Sequence, residues 1–157
     1  MAILLVFGLG AATAALGQPQ PLGIFGSWGA FAGDGRCYAI AQPAASAEAA
    51  QPFASVGYWP ARHSGGQLHL RLSRAKRPGS AVLLRVDGRS FQLLGGGRDA
   101  WAADARADQE IQAAMRTGID MVVETRSTEG LPVRDQYPLR GAATAMDAAA
   151  IACIRRR

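Results

Sequence analysis

A mainly β chain, folded as an antiparallel β-sandwich or open barrel with one short internal helix and a C-terminal helix, is what the sequence predicts. Three observations carry this. The run Gln67-Leu68-His69-Leu70-Arg71-Leu72-Ser73 alternates apolar and polar residues at the two-residue period of a strand with one buried face. Asp87-Gly88 stands between two β-prone runs, 81–86 and 89–94, and is the strongest short hairpin signal in the chain. Helical spacing of apolar residues is confined to 105–117 and 142–154, with no strand-helix-strand regularity around it.

Taken in order, residues 1–17 form an uncharged apolar run that ends in small residues and is followed at once by Gln18-Pro19-Gln20-Pro21. This reads as a secretory signal peptide cleaved close to Gly17, leaving 18–157 as one β-rich domain. No Lys or Arg opens the run, and a retained membrane anchor is the competing reading. The length of the run is at the lower limit for spanning a bilayer, which favours removal. Residues 18–25 read as a Pro-rich lead-in. The β-prone runs 28–31 and 36–42 flank Ala32-Gly33-Asp34-Gly35 and form a hairpin, with Cys37, Ala39 and Ala41 on one face and Tyr38 and Ile40 on the other. An Ala-rich loop over 43–52 precedes a strand over 53–59, and a basic turn over 74–79 follows the Gln67–Ser73 strand.

Gly95-Gly96-Gly97 breaks the strand pattern, and 99–104, carrying Trp101, reads as a loop. Over 105–117, Ala107, Ile111, Ala114 and Met115 share one helical face, and Gly118 ends the helix. Strands follow over 119–125, with Ile119, Met121 and Val123 on one face, and over 133–139, joined by a turn at Thr128-Glu129-Gly130. In the last helix Ala142, Met146, Ala149 and Cys153 line one side.

With 157 residues, 49% of them hydrophobic and 18% charged, the chain can bury a core without a metal. A net charge of +5 spread along the chain defines no patch, and the basic clusters Arg74-Ala75-Lys76-Arg77 and Arg155-Arg156-Arg157 read as a turn and a solvated tail. No nucleic acid is expected as a partner. Two cysteines, Cys37 and Cys153, in an exported chain point to a disulfide, the alternative being two small buried hydrophobes. A metal site is not expected, because the only imidazoles are His63 and His69.

No catalytic constellation is legible. A triad can be drawn from His63, Ser64 or His69 with Asp87 or Asp99, but no nucleophile-elbow spacing accompanies them. Gly95-Gly96-Gly97-Arg98 lacks the Lys-Ser/Thr pair of a phosphate loop. No cofactor is expected. The aromatics Trp28, Tyr38, Trp59 and Trp101 read as core or loop-anchoring residues rather than a sugar platform. The leading expectation is an exported, non-enzymatic envelope or interaction module with an unidentified protein partner. A small periplasmic hydrolase using His63 or His69, or a ligand-binding β domain, are the alternatives.

Two stretches carry a family resemblance. Gly26-Ser27-Trp28-Gly29-Ala30-Phe31 leading to Arg36-Cys37-Tyr38-Ala39-Ile40-Ala41-Gln42, and the closing section from Gly118-Ile119-Asp120 through Leu139-Arg140-Gly141 to Cys153, resemble the invasion-associated locus B family of exported bacterial proteins. The resemblance implies a periplasmic or outer-surface β protein, linked in some pathogens to host-cell invasion, with no established enzymatic reaction; with the signal-like run, a periplasmic or secreted location is expected.

Overall fold

The structure is a computed structural model that describes residues 18–33, 35–45, 50–61 and 65–156. Ten strands, all paired antiparallel, run in the order β1-β2-β3-β4-β5-β8-β7-β6-β9-β10, and the sheet is not closed. They are β1 (Gln20–Phe25), β2 (Trp28–Gly33), β3 (Arg36–Ala41), β4 (Phe53–Tyr58), β5 (Gln67–Arg71), β6 (Val82–Val86), β7 (Arg89–Gly96), β8 (Asp99–Trp101), β9 (Asp120–Arg126) and β10 (Pro132–Pro138). Among the described residues there are two α-helices, α1 (Ala105–Thr117) and α2 (Ala142–Ile154). The mainly antiparallel β architecture with an internal and a C-terminal helix is therefore the one the sequence predicts.

Strand β7 divides the sheet into two layers. Its residues 89–93 pair with β6, while Leu94, Gly95 and Gly96 pair with Trp101, Ala100 and Asp99 of β8. The handover needs a residue without a side chain, because a Cβ on Gly95 would lie 2.9 Å from Val82 Cγ2. Here the expected loop over 99–104 is corrected. Gly97, at φ +59°, turns the chain so that Asp99–Trp101 returns as β8 and pairs with β5. The glycines hid this strand by removing the alternation that marks one. The Arg98 guanidinium folds back from the turn onto the carbonyls of Leu72 and Ala50, holding β5 to the loop ahead of β4.

The Pro-rich lead-in is likewise corrected, since Gln20–Phe25 forms edge strand β1 against β2. Pro21 is tolerated there because an edge strand leaves one row of N–H groups unused, and the register shift between Pro21 and Gly23 marks an irregularity that blunts the edge. Ile119 does not share the inward face of Met121 and Val123. It precedes β9, and its side chain is exposed while its N–H is held by the Asp87 carboxylate at 3.2 Å. The expected turn residue Asp34 lies outside the described residues.

The core follows the alternation. Leu68, Leu70 and Leu72 are fully buried, as are Met121, Val123, Leu84 and Ile111, and all belong to one core in which Leu84 lies beside Val123 in the β6–β9 pair. Strands β2 to β4 present a floor of small side chains, Ala30, Ala32, Cys37, Ala39, Ala41 and Ala54, all buried. Against that floor lies α2, through Ala142, Ala145, Met146, Ala149 and Cys153. Small residues on both partners let a helix backbone approach a sheet closely. The approach is locked covalently: Cys37 and Cys153 form a disulfide with Cα atoms 5.6 Å apart and a separation of 116 positions in sequence.

The two stretches that carried the family resemblance meet in space. Trp28, fully buried, donates its indole N–H to the Pro138 carbonyl at 3.0 Å, and the Ser27 N–H donates to the Arg140 carbonyl at 3.0 Å. Gly141 opens α2 at φ +90°, and a Cβ there would collide with the Phe25 carbonyl. Gly26, at φ +59°, is closed against the Arg140 carbonyl in the same way. Both positions combine a left-handed backbone with main-chain contact, so only glycine fits.

Helix α1 carries a polar inward face that apolar spacing did not foretell. Asp104 caps it, accepting from the Ala107 N–H at 2.8 Å. One turn on, buried Asp108 accepts from the Leu68 N–H at 2.7 Å, and Gln112 donates to the Gly66 carbonyl at 2.6 Å. Ala107, expected on the buried face, is half-buried. Desolvation raises the Asp108 carboxyl above the ordinary aspartate pKa, and the Leu68 N–H opposes only part of that rise. A folded chain that keeps this proton where the unfolded chain has released it loses stability as pH rises from the ordinary aspartate range through the raised value. Asp108→Asn, which keeps an acceptor for Leu68 and removes the charge, should therefore be more stable than the parent at about pH 7 and lose that advantage at about pH 3. Urea midpoints at the two pH values check this, and a difference that does not change with pH counts against it.

Candidate binding face

Residues of β1 to β5, β8 and the end of β7 that point away from α2 form one outer face, and the register aligns them in rows. The central row runs Ile24, Gly29, Ile40, Ser55, His69, Trp101, Leu94 across seven strands. A second row passes through Phe31, Tyr38, Gly57 and Gln67, and a third through Phe53, Arg71 and Asp99. The two ends of the central row stand in solvent, Ile24 at 72% exposure and Leu94 at 59%, and Trp101 is 38% exposed. Leu94 and Trp101 are neighbours in the register, and Ile24 stands at the other end of the row.

Cross-strand spacing stacks the rings on one another. His69 lies parallel to Trp101, with interplanar angle 6° and centroids 5.3 Å apart, and Phe53 meets His69 edge-on at 5.1 Å. Phe31 stacks on Tyr38 at 5.6 Å, and the Arg36 guanidinium sits 4.9 Å from the Tyr38 centroid. Around Gly29 the side chains of Ile24, Phe31, Ile40 and Gln42 enclose an open groove of about 400 Å³. A Cβ on Gly29 would strike the Phe31 ring at 2.8 Å, so the missing side chain makes the groove floor. Trp59 follows β4 and rests its half-buried ring over Gly57.

The outer face of β6, β9 and β10 is different in kind. Glu124 there bridges Arg85 at 3.3 Å and Arg134 at 2.8 Å, and Gln136 stands one residue pair along the same strand face. Interleaved opposite charges of this sort are the mark of a surface that stays in water.

Of the residues singled out from sequence, the structure places Trp28 in the core, Tyr38 and Trp101 on the outer face, and Trp59 at its margin. Trp101 is thus a strand residue with an exposed ring. His63 and Ser64 lie outside the described residues. Asp87 is occupied by the N–H groups of Ile119 and Asp120. Asp99 does meet His69, its Oδ1 lying 2.8 Å from Nε2, with Arg71 Nη1 3.8 Å from the same oxygen. Ser55 is the cross-strand neighbour of His69, yet among the described residues no hydroxyl hydrogen-bonds to that imidazole. The imidazole is stacked on Trp101 and tied through Nε2 to the Asp99 carboxylate. No group of three or more His, Cys, Asp or Glu that could hold a metal occurs among the described residues, and no helix there is long and apolar enough to cross a membrane.

A family model described as the invasion associated locus B protein matches residues 36–150. No curated protein and no solved structure matches the chain. The matched span runs from the first residue of β3 into α2, and so takes in most of the outer face and both strands joined at β7. Covering most of the chain, the match identifies it as a member of the invasion associated locus B family.

Proposed function

We propose that this chain is an exported, non-enzymatic binding module of the bacterial envelope, engaging a partner through the outer face of β1–β5 and β8. The observation that carries the reading is the contrast between the two outer faces of one molecule. One is laced with ion pairs around Glu124, and the other sets Ile24, Trp101 and Leu94 in solvent on a bed of stacked rings. Aromatic residues and arginine concentrate at protein interfaces, where lysine and glutamate are depleted. Export rests on the signal-like run at 1–17 and accords with the Cys37–Cys153 bond, which an oxidising compartment preserves. Intact mass of the mature protein should correspond to a start near Gln18, and retention of Met1 would sink the export reading.

The binding reading is tested by replacing Leu94 and Trp101 together with serine. Both are exposed, so the fold and the disulfide should persist, while the high-mass species containing this protein in gentle cell extracts should collapse to the monomer. A variant that keeps both the fold and the high-mass species would defeat the proposal. A hydrolase reading draws on the His69–Asp99 pair beside Ser55. It requires turnover that His69→Ala abolishes, and the expected result of a broad ester and amide substrate screen is no turnover above the His69→Ala variant.

A further inference from the structure

We infer that Arg74, Lys76, Arg77 and Arg126 form a second contact surface, one that docks on anionic phospholipid. It goes beyond the binding reading above and does not depend on the outer face. In the sequence Arg74-Ala75-Lys76-Arg77 is an isolated basic turn, and Arg126 stands far along the chain. The fold brings them together, because β6 runs antiparallel to β9 and the turn that enters β6 therefore lies beside the end of β9. The Arg77 N–H donates to the Arg126 carbonyl at 2.8 Å, the Thr128 N–H donates to the Ala75 carbonyl at 3.1 Å, and Lys76 and Ser127 form an isolated β-bridge. Two guanidinium groups then converge on one residue. Arg126 Nη1 donates to the Gly130 carbonyl at 3.2 Å, and Arg77 Nη1 lies 3.8 Å from where a Cβ on Gly130 would stand. The Lys76 ammonium joins them, donating to the Arg77 carbonyl at 3.2 Å.

Like charges gathered in this way repel one another unless carboxylates lie between them. Arg71, Arg85, Arg106, Arg116 and Arg134 each have a carboxylate within ion-pair distance. Among the described residues, none of the four clustered cations has one. Glu129 is the carboxylate of these two turns, and it is engaged by its own turn, accepting from Thr128 Oγ1 at 2.9 Å, while Arg74 acts on it from beyond ion-pair distance. Glu124, two residues before Arg126 in β9, is held between Arg85 and Arg134. The cluster therefore keeps a surplus of positive charge that an anion from outside the chain would neutralise.

The surroundings of the cluster favour a lipid surface over a free anion. Guanidinium groups present paired N–H donors that match phosphate oxygens, and three of the four cations are arginines. Leu131, 51% exposed, closes the turn that carries Thr128 and Glu129, its carbonyl accepting from the Ser127 N–H and its own N–H donating to Ser127 Oγ. An exposed aliphatic side chain next to arginines suits the boundary between headgroups and acyl chains, whereas a free phosphate would leave it in water. In the facing turn Pro78 and Gly79 are exposed, and no heavy atom lies within 4 Å of where a Cβ on Gly79 would stand. This tip projects from the body, which lets it meet a flat surface. An exported protein encounters such a surface at the membrane it crosses, where anionic headgroups attract basic segments.

The test uses the exported protein with its disulfide intact, sedimented with vesicles of phosphatidylcholine alone or mixed with phosphatidylglycerol. The mixed vesicles should carry the protein down, and salt at about 1 M should release it, since charges are then screened beyond about 3 Å. Vesicles of phosphatidylcholine alone should leave it in solution. Arg77→Gln and Arg126→Gln should each lower partitioning about fivefold, Arg126→Lys should retain it, and Leu131→Ser should lower it by a smaller factor. Arg106→Gln removes the same charge from α1 and should change nothing, and neither should the paired serine replacements of Leu94 and Trp101, so this surface and the outer face can fail separately. Circular dichroism establishes that each variant is folded. Absence of binding to the mixed vesicles overturns the inference. So does a loss at Arg106→Gln equal to that at Arg126→Gln, which would make net charge alone responsible. Release by inorganic phosphate, but not by chloride at matched ionic strength, would make free phosphate the occupant and overturn it as well. Binding lost in the Leu94 and Trp101 variant but kept in Arg126→Gln would move the lipid contact to the outer face, with the same consequence.

Discussion

Serine in place of Cys37 or Cys153 is expected to cost the oxidised protein about 4 to 5 kcal/mol, the value that the chain-entropy relation gives for a loop of this length. The bond joins β3 to the last turn of α2 across 116 residues, so reduction frees the unfolded chain far more than it alters the native contacts. Either replacement removes the same tie. The two single losses should therefore be similar, and the double replacement should cost little more than one alone, a large departure from additivity. Urea unfolding of the four proteins measures it, and thiol-reduced parent should fall with the single variants. Strictly additive losses would show that each sulfur contributes only as a small buried apolar group and that packing alone holds α2.

Gly141→Ala is expected to be the most damaging single-methyl change in the chain, at about 3 kcal/mol or more. Two penalties act together. A left-handed backbone costs an alanine about 1 to 2 kcal/mol. The added Cβ would also collide with the Phe25 carbonyl, which belongs to backbone held in the β1–β2 pair and cannot swing aside as a side chain would. Gly79 separates the two, because it has φ +79° and no heavy atom within 4 Å of the position a Cβ would take. Gly79→Ala should register the backbone penalty alone, and equal losses at 79 and 141 would remove the case for an interlock between the first hairpin and the start of α2.

What the sequence revealed and what it hid follow from the range of the interactions involved. Alternation at Leu68, Leu70 and Leu72 and the Asp87-Gly88 turn act between neighbours, and the structure has β5 and the β6–β7 hairpin where they pointed. The bounds of both helices were equally local, given by apolar spacing and, for α1, by the glycine at 118. Strand β1 was hidden because proline speaks against a strand unless the strand is known to lie at an edge, and edge position is set by partners far along the chain. Strand β8 has three residues, too few to alternate, and exists because β5 and β7 hold it on both sides. The candidate face suffered most from this. Its central row draws single residues from positions 24 to 101, and the polar side of β5 that carries His69 gained its meaning only when β8 placed Trp101 and Asp99 beside it. Asp108 was invisible for another reason, since its acceptor role depends on an unpaired N–H at Leu68 that no apolar pattern encodes.

The position of α2 also sets an order of events during synthesis. The alanine floor of β2 to β4 and the indole of Trp28 are made early, while the helix that covers them is made only after all the other described strands and α1. Until residues near 153 have emerged, the early strands expose an apolar surface that nothing local can shield, and the sulfur at 37 has no intramolecular partner. Folding of this half of the molecule is accordingly held back until α2 is available, an interval in which the early strands depend on being kept from their neighbours. A chain cut short before α2 would leave that surface open permanently, so truncated forms should appear as aggregates rather than as smaller folded proteins.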